Sequence, residues 1–496
     1  MIKTLSALSL SLVLIGSAHA NLDIHVSGGT LGGSVQIDLI GDAGETYLIF
    51  VSDDPNNLIK WSDITINTPG FVGGLNGSGL ASATLPLPGA KVLDGFQLYF
   101  QAITVNGPPY VVDDTSPLCA MKLAEPLGIV ASNASLTTAR TNGALAELPD
   151  GRVLITGGGG GTIFSPAPVS SADIYDPCTD SITPSSGTMS SERAFHTTTV
   201  LADGRVLVAG GADAALAITP TMDIYDPVAD QFSATTPLSR ARIGHTATAQ
   251  SDGTVWIVGG TNALLPDYLA FLFGNTAGTE IWDPVTGSVV PGPILDWGPR
   301  AFHTAVTLND GKILFSGGYS ISDNFGFPIA IIASQDSLWD PVSGSFVPSF
   351  LRSSGTVGHS ATMLGDGRVL LAGGATAPVE TTPTTAFARI YDPVTDAYSI
   401  INQVMSTPRG LFPMFQLDDG RVALFGGVTG NFTAVSATDV VEIFDPTTET
   451  FSLAPDPLGV SRAASQGIRL SNGRILVIGG SNASETPQLS ADLFVQ

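Results

Sequence analysis

The stretch RAFHTTTVLADGRVLVAGG, residues 193–211, returns at residues 300–318 as RAFHTAVTLNDGKILFSGG. Weaker copies extend over most of the chain, and the seven copies begin at Arg140, Arg193, Arg242, Arg300, Thr356, Arg409 and Arg462. In every copy a turn glycine lies eleven residues after the start, and a Gly-Gly pair lies at seventeen and eighteen. A catalytic triplet would normally occur once, so the recurrence indicates a repeat architecture.

Each copy is about fifty residues long and has the pattern of four short strands. An Asp-Gly or Asn-Gly turn joins the first two strands, which is the strongest short-range signal for a hairpin. Six copies continue to an aromatic residue followed by Asp-Pro, as in Tyr225-Asp226-Pro227, and this dipeptide favours a turn. A four-stranded unit of this size must stack on neighbours to bury its faces. The sequence therefore predicts an all-β fold with a seven-bladed β-propeller.

The Gly-Gly pairs and aromatic-Asp-Pro corners of residues 140–496 resemble those of the kelch-repeat β-propellers, including the bacterial kelch and galactose-oxidase-like group. The resemblance implies a kelch-type propeller, but it is not specific for function, because such propellers include oxidases, lyases, isomerases and binding modules. Copper oxidases of that group use a Tyr-Cys crosslink, a second Tyr and His ligands. This sequence lacks a Tyr-His tandem, and Cys178 falls in a blade turn opposite the variable loops. We therefore expect no copper-oxidase site and no cofactor.

The beginning of the chain predicts export. Residues 1–20 carry Lys3, a short apolar run and the residues SAHA, which together predict a secretory signal peptide cut before Asn21. Residues 21–123 lack the repeat and alternate apolar with polar residues between turn signals, which predicts a small antiparallel β-sandwich of Ig-like type.

The propeller is predicted over residues 124–496. Its seventh copy ends at Gln496 before a fourth strand could form. We expect a strand from about residues 127–137 to supply this outer strand and close the ring, because closure removes an exposed sheet edge.

Composition limits the partners of the protein. The net charge is −24, with 20 Lys and Arg against 44 Asp and Glu, which argues against nucleic acid or an anionic membrane. Beyond the signal peptide, no segment approaches the roughly 18 apolar residues of a membrane helix. We expect a monomer that is periplasmic or extracellular. There, Cys119 and Cys178 either form a disulfide between the sandwich and the first repeat or remain free.

The repeated Arg residues allow two interpretations. A ring of Arg at one mouth of the propeller could bind an anionic ligand. Alternatively, each Arg pairs with the acid that lies two residues before the corner aromatic of the preceding copy, as Asp173 with Arg193 and, by closure, Asp492 with Arg140. We favour these pairs and expect partial exposure to limit each to about 0–1 kcal/mol. The exception is Arg389 with Arg409, which lacks the acid and is a candidate anion-binding site.

Four consecutive copies place a histidine three residues after the start, at His196, His245, His303 and His359. Other copies have Gly143, Phe412 or Ser465 at this position, which favours space filling and local hydrogen bonds. A metal site shared between blades is the alternative, because imidazole is a common ligand.

The long apolar loops of copies three and four are the predicted recognition surface, because exposed aromatic patches commonly mark binding sites. The candidate ligand-binding residues are Tyr268, Phe271, Phe273, Trp297, Phe325 and Phe327. The alternative is that these loops pack on each other or under the sandwich.

Two classes of function follow. The favoured one is an exported, non-catalytic binding or scaffold protein that recognises a glycan or an extracellular protein through the variable loops at one mouth. The alternative is an extracellular carbohydrate-active enzyme, a lyase, isomerase or oxidase, with its site at that mouth. The sequence contains no serine nucleophile elbow, HExxH, P-loop, paired-cysteine metal motif or sialidase-type S-x-D-x-G-x-T-W box, so an enzyme is less favoured.

Overall fold

A computed structural model describes most of the propeller and the strands of the N-terminal sheets. The described residues are 23–28, 34–40, 46–52, 72–74, 80–86, 97–106, 111–115, 119–122, 127–263, 276–324, 327–333, 335–348, 352, 355–377, 382–431 and 434–496. All of their regular secondary structure is β-strand. Over these residues, no helix of the length and apolar character needed to span a membrane is present.

Two antiparallel sheets precede the propeller. Their strands are β1 (Asp23–Gly28), β2 (Ser34–Ile40), β3 (Thr46–Ser52), β4 (Val72–Gly74), β5 (Leu80–Pro86), β6 (Gln97–Asn106), β7 (Val111–Thr115) and β8 (Cys119–Lys122). One sheet has the order β1-β2-β5, and the other has the order β4-β3-β6-β7 with β8 also paired to β6. Alternate residues of both sheets, among them Ile37 and Phe100, form one buried cluster. This packing is that of a small sandwich.

Blades 1 to 3 each contain a four-stranded antiparallel sheet. Their strands, after β9 (Gly128–Ser135), are β10 (Ala144–Glu147), β11 (Val153–Thr156), β12 (Gly159–Gly161), β13 (Pro166–Asp176) and β14 (Ser181–Arg193) in blade 1; β15 (Thr197–Val200), β16 (Val206–Ala209), β17 (Met222–Asp226) and β18 (Gln231–Thr235) in blade 2; and β19 (Thr246–Ala249), β20 (Val255–Val258), β21 (Thr279–Trp282) and β22 (Val289–Pro291) in blade 3. In blade 1, β12 pairs with the first part of β13 as an extra hairpin.

Blades 4 to 7 repeat this sheet. Their strands are β23 (Thr304–Thr307), β24 (Ile313–Ser316), β25 (Tyr319–Asn324), β26 (Phe327–Ile332), β27 (Ser337–Asp340) and β28 (Ser345–Phe346) in blade 4; β29 (Ser360–Met363), β30 (Val369–Ala372), β31 (Ala388–Asp392) and β32 (Ala397–Ile400) in blade 5; β33 (Met414–Gln416), β34 (Val422–Phe425), β35 (Val428–Asn431), β36 (Ala434–Ala437), β37 (Val441–Asp445) and β38 (Thr450–Leu453) in blade 6; and β39 (Gln466–Arg469), β40 (Ile475–Ile478) and β41 (Ser490–Val495) in blade 7. The fourth strand of blade 7 is β9, which pairs with β41, so the N-terminal part of the propeller closes the ring.

The second strand of every blade forms the core. Its four residues are all buried in each of the seven blades, because neighbouring blades cover both of its faces. Strands covered on both faces have continuous apolar runs, as VLVA in β16 and VLLA in β30 do. The fourth strand lies at the outside and is largely exposed, as in β18.

The strand order gives the propeller two different ends. The Gly-Gly pairs, the variable loops and the Arg residues that open each copy lie at one end, which we call the mouth. The Asp-Gly turns and the Asp-Pro corners lie at the other end, which we call the base.

The N-terminal sandwich is fastened to the base. Cys119 of β8 forms a disulfide with Cys178, which lies in the corner turn between β13 and β14. Cys178 also packs against the buried cluster of the sandwich. A cleft lined by Ile24 and Val26 of the sandwich and by base turns of blades 1 and 2 separates the two parts. These contacts lie at the end of the propeller opposite to the mouth.

The first glycine of each Gly-Gly pair is required by the neighbouring blade. Gly259 has a φ of 66°, and a Cβ atom there would lie 2.9 Å from Cε1 of His303 and 2.5 Å from the carbonyl oxygen of Arg300. Both neighbours belong to the next copy. The glycine therefore lets blades 3 and 4 approach closely at the mouth, in a backbone conformation that residues with a Cβ adopt at a cost.

Candidate binding site at the propeller mouth

The Arg residues that open the copies are buried and paired with acids of their own blade. The ion pairs are Arg140–Asp173, Arg193–Asp223, Arg242–Glu280, Arg409–Glu442 and Arg462–Asp492. The prediction that each acid pairs with the Arg of the following copy is therefore wrong, including the closing pair of Asp492 with Arg140. The acid lies on the third strand of each of these blades, and the Arg that opens the same blade lies beside this strand. The Arg of the following copy is nearer to the acid in sequence but does not reach it.

Arg409 shows how the terminal nitrogens of these guanidinium groups are bound. Its Nη2 donates to Oε2 of Glu442 at 2.7 Å, and its Nη1 donates to the carbonyl oxygens of Gly426 and Val440 at 3.0 and 2.7 Å. Burial lowers the pKa of Arg409 to about 10, and the charge of Glu442 opposes that shift. The prediction of partly exposed pairs is wrong. A buried Arg with all these acceptors stabilises the blade and is not available to an anionic ligand.

Blades 4 and 5 depart from this pattern. In blade 4, Ser337 occupies the position of the acid, and Nη1 of Arg300 lies 4.0 Å from Oδ1 of Asp336, the preceding residue. In blade 5, Thr356 replaces the opening Arg and Arg389 replaces the acid. Arg389 and Arg409 do not form a pair of cations without an acid, because Glu442 neutralises Arg409. That candidate anion-binding site has lost its basis.

The four histidines connect neighbouring blades. Each Nε2 hydrogen-bonds a threonine hydroxyl of the preceding blade, and the pairs are His196–Thr156 at 2.8 Å, His245–Thr197 at 3.0 Å, His303–Thr246 at 3.1 Å and His359–Thr304 at 3.0 Å. Burial lowers the pKa of His196 and of His245 to about 3, and that of His359 to about 4. Among the described residues, no group of His, Cys, Asp and Glu is arranged to hold a metal. The arc of histidines is a set of neutral links between blades.

A ring of left-handed residues surrounds the axis at the mouth. Two residues after the start of every copy, φ is positive, at Asn142 (57°), Phe195 (57°), Gly244 (61°), Phe302 (57°), Gly358 (65°), Leu411 (50°) and Ala464 (49°). Backbone amides join neighbours in this ring, as Phe302 N donates to the Gly244 carbonyl oxygen at 2.7 Å. Glycine and asparagine tolerate this conformation, whereas a bulky residue there is an outlier.

The bulky members of the ring line an apolar bowl. Phe195, Phe302 and Leu411 contribute to its lining; the ring of Phe302 lies over Gly244 and the side chain of Leu411 lies over Gly358. The rings of Phe195 and Phe302 meet edge to face with centroids 6.5 Å apart. Ile163 and Phe164 from the β12–β13 hairpin also line the bowl. Its volume is about 100 Å³. For comparison, a cavity of roughly 150 Å³ admits benzene.

Polar groups are few in the bowl. Among the described lining residues, those with polar side chains are Thr382, Thr384, Asn431 and Tyr319. Tyr319 is 6% exposed, whereas Leu411 is 36% exposed. The surface that the bowl offers to a ligand is therefore almost entirely hydrocarbon.

The loop aromatics predicted as ligand contacts are mostly beyond what the structure describes. Tyr268, Phe271, Phe273 and Phe325 lie outside the described residues, and of Phe327 only the strand position in β26 is described. Trp297 lies half-buried in the connection between β22 and β23, at the mouth, and does not line the bowl. These residues stay predictions.

Sequence reasoning missed the bowl, although a signal for it existed. Two residues after the start of each copy, two copies have Gly and one has Asn, the residues that favour a left-handed backbone. Phe or Leu at the equivalent positions 195, 302 and 411 is therefore unexpected, and it marks side chains that are retained at a conformational cost.

The described residues at the mouth do not suit the copper centre of galactose-oxidase-like enzymes. No described lining residue of the bowl is a His, Cys or carboxylate, and the four blade histidines are bound to threonines. Cys178 is in the disulfide at the base.

The described residues define a seven-bladed β-propeller of the galactose-oxidase-like fold. Its structure is similar to that of a fungal alcohol oxidase of the AA5 family in complex with copper, with 16% identity, a TM-score of 0.55, and coverage of 74% of this chain and 75% of that one. It is also similar to YjhT, with 15% identity, a TM-score of 0.46, and coverage of 64% of this chain and 98% of that one. No protein-family model matches the chain, and no curated protein matches its sequence. At such low identity the likeness concerns the fold alone.

Proposed function

We propose that this chain is a non-catalytic binding protein, and that its ligand contacts the apolar bowl at the mouth. The observation that carries the proposal is the left-handed ring. Phe195, Phe302 and Leu411 each hold a conformation that costs about 1–2 kcal/mol relative to glycine. Local strain of this kind clusters at sites of function. A ligand that contacts these partly exposed side chains accounts for their presence.

The alternative, a carbohydrate-active enzyme at the mouth, has less support. An enzyme of that kind needs a general acid or base and a cation converging on one substrate position. The blade histidines are buried and bonded to threonines, and five of the opening Arg residues are bound to acids within their blades. These groups hold the fold together, which favours a binding role over catalysis.

The variant Leu411→Asn separates binding from folding. Asparagine tolerates a positive φ, and Leu411 is already 36% exposed, so we expect the free energy of unfolding to change by less than about 1 kcal/mol. Binding to any ligand found on a glycan array or in a peptide library should be lost. Urea unfolding and a binding titration measure the two effects.

The matched control is Val394→Asn at the base. Val394 is 91% exposed on a corner turn, so the same chemical change there should leave both stability and binding unaltered. If Leu411→Asn retained full affinity for a ligand of the wild type, the bowl would not be the binding site. If Leu411→Asn lowered the free energy of unfolding by more than about 2 kcal/mol, Leu411 would instead be a residue of the hydrophobic core.

Export is also proposed. The disulfide between Cys119 and Cys178 supports it, because such bonds persist in oxidising compartments. Amino-terminal sequencing of the protein recovered outside the cytoplasm is expected to begin at Asn21. Recovery of the intact chain from the cytoplasm with reduced cysteines would contradict this proposal.

A further inference from the structure

The mouth carries several acidic side chains that form no ion pair. Mouth loops carry Glu192, Asp213, Asp439, Asp456 and Glu485, and no ion pair joins any of them to another described residue. Apart from the buried pairs, the described cations at the mouth are Arg240 and Arg389. The mouth therefore presents a net negative charge to a ligand.

Five turns of the base are neutralised locally. In five of the Asp-Gly turns the aspartate pairs with a cation two residues later, as Asp150–Arg152, Asp203–Arg205, Asp310–Lys312, Asp366–Arg368 and Asp419–Arg421. Other acids of the base, among them Asp252 and the corner aspartates Asp226 and Asp392, form no ion pair with a described residue, so uncompensated charge is present at both ends of the propeller. A face that carries uncompensated charge steers a partner of opposite sign.

The apolar lining of the bowl limits the chemical class of ligand that can bind there. A sugar buried there would leave most of its hydroxyls without partners, because the described lining is nearly all hydrocarbon. An isolated cation or anion would lose its hydration without compensation. An aliphatic or aromatic side chain suits the apolar lining.

Resting on the proposed binding function, we infer that the ligand is a polypeptide segment that seats one apolar side chain in the bowl and places flanking Lys or Arg residues against the mouth acids. The apolar side chain supplies the buried contact around Phe195, Phe302 and Leu411. The flanking cations supply electrostatic complementarity, which mainly speeds association and selects the partner.

A random-peptide display library, selected on the purified full chain and counter-selected on Leu411→Asn, tests this inference. We expect enriched peptides to contain Leu, Phe or Trp next to Lys or Arg. The leading peptide is then synthesised beside two matched versions, one with its Lys and Arg replaced by Gln and one with its apolar residue replaced by Ser. Affinities are measured by titration at low and high salt.

Three protein variants locate the contacts. Leu411→Asn should weaken the leading peptide at least about tenfold, as expected for a central hot spot. The double variant Glu192→Gln with Asp439→Asn should weaken it about threefold and reduce its salt dependence. Glu449→Gln, which removes a base acid paired with Arg368, should leave the affinity unchanged.

Each other outcome overturns the inference in a recognisable way. Enriched peptides without basic residues, or equal binding of the Gln-substituted peptide, would remove the role of the mouth acids. A glycan that binds the wild type but not Leu411→Asn would overturn the polypeptide ligand and leave the bowl as the binding site. Dimerisation that Leu411→Asn abolishes would identify a second copy of this chain as the occupant. Failure of all ligands to depend on Leu411 would overturn the proposed function itself.

Discussion

Lowering the pH from 7 to 5 is expected to reduce the free energy of unfolding by about 2 kcal/mol for each blade histidine, or roughly 8 kcal/mol for the four. The histidines are His196, His245, His303 and His359, and each is buried against a glycine and a threonine of the preceding blade. A loss of this size is comparable with the whole stability of an ordinary domain. We therefore expect the propeller to unfold in mild acid.

The free energy of unfolding falls with decreasing pH because the unfolded chain binds more protons than the folded protein. Burial lowers the pKa of His196 and His245 to about 3 and that of His359 to about 4, and it also holds the pKa of His303 well below its usual value. In the unfolded chain these groups titrate near 6.5. Between these values only the unfolded chain binds the protons, so stability is full above about pH 6.5 and falls as the pH decreases toward the folded pKa values.

Two variants that the repeat itself suggests test this expectation. Blade 6 has Phe412 at the histidine position, packed against Gly373 as the histidines pack against their glycines. His245→Phe should reduce the pH dependence by about one proton, and Phe412→His should increase it by about one proton. Urea unfolding at several pH values between 7.5 and 5 measures the slopes. Equal slopes in the wild type and both variants would show that carboxylates, not these histidines, cause acid unfolding.

Removing one buried guanidinium group is expected to cause the second largest loss in the free energy of unfolding. Arg409→Met should lower the free energy of unfolding by about 3–5 kcal/mol, because Glu442 keeps its charge in a buried site without its partner. The carbonyl oxygens of Gly426 and Val440 also lose a donor. Urea unfolding gives the value directly.

The same blade contains the control for this substitution. Arg421 pairs with Asp419 in the exposed turn at the base, with 35% and 48% of the two side chains accessible, so Arg421→Met should cost less than about 1 kcal/mol. Replacing both partners, Arg409→Met with Glu442→Leu, should recover part of the loss because no unpaired charge remains. Similar losses from Arg409→Met and Arg421→Met would contradict the assignment of the buried pairs as structural elements.

Local requirements explain why the blades could be predicted. The Asp-Gly turn and the Gly-Gly pair depend on backbone conformations that glycine favours, so their spacing appears in the sequence wherever a blade occurs. The seven copies consequently predicted seven blades, and the structure has them. The partner of Arg193 was predicted wrongly as Asp173, because position along the chain does not tell which strand lies beside a side chain. Asp223, thirty residues further on, is the partner.

The sequence predicted a recognition site at the mouth from residues other than those that line the bowl, and this prediction is untested. Trp297 and the loop aromatics were chosen because they depart from the repeat, whereas Phe195, Phe302 and Leu411 belong to it. Their convergence around one axis arises from seven blades that are distant in sequence. No property of a single copy shows that the residues two positions after the start of different copies lie close together.

The sequence by itself determined the all-β class, the number of blades and the turns that end their strands, because each depends on residues a few positions apart. The tertiary structure decided which acid neutralises which Arg, that the histidines join blades as neutral groups, and that the sandwich is fastened at the base. The tertiary structure also decided that the apolar bowl at the mouth remains accessible. These features depend on closure of the ring, which brings together residues that chain spacing leaves unrelated.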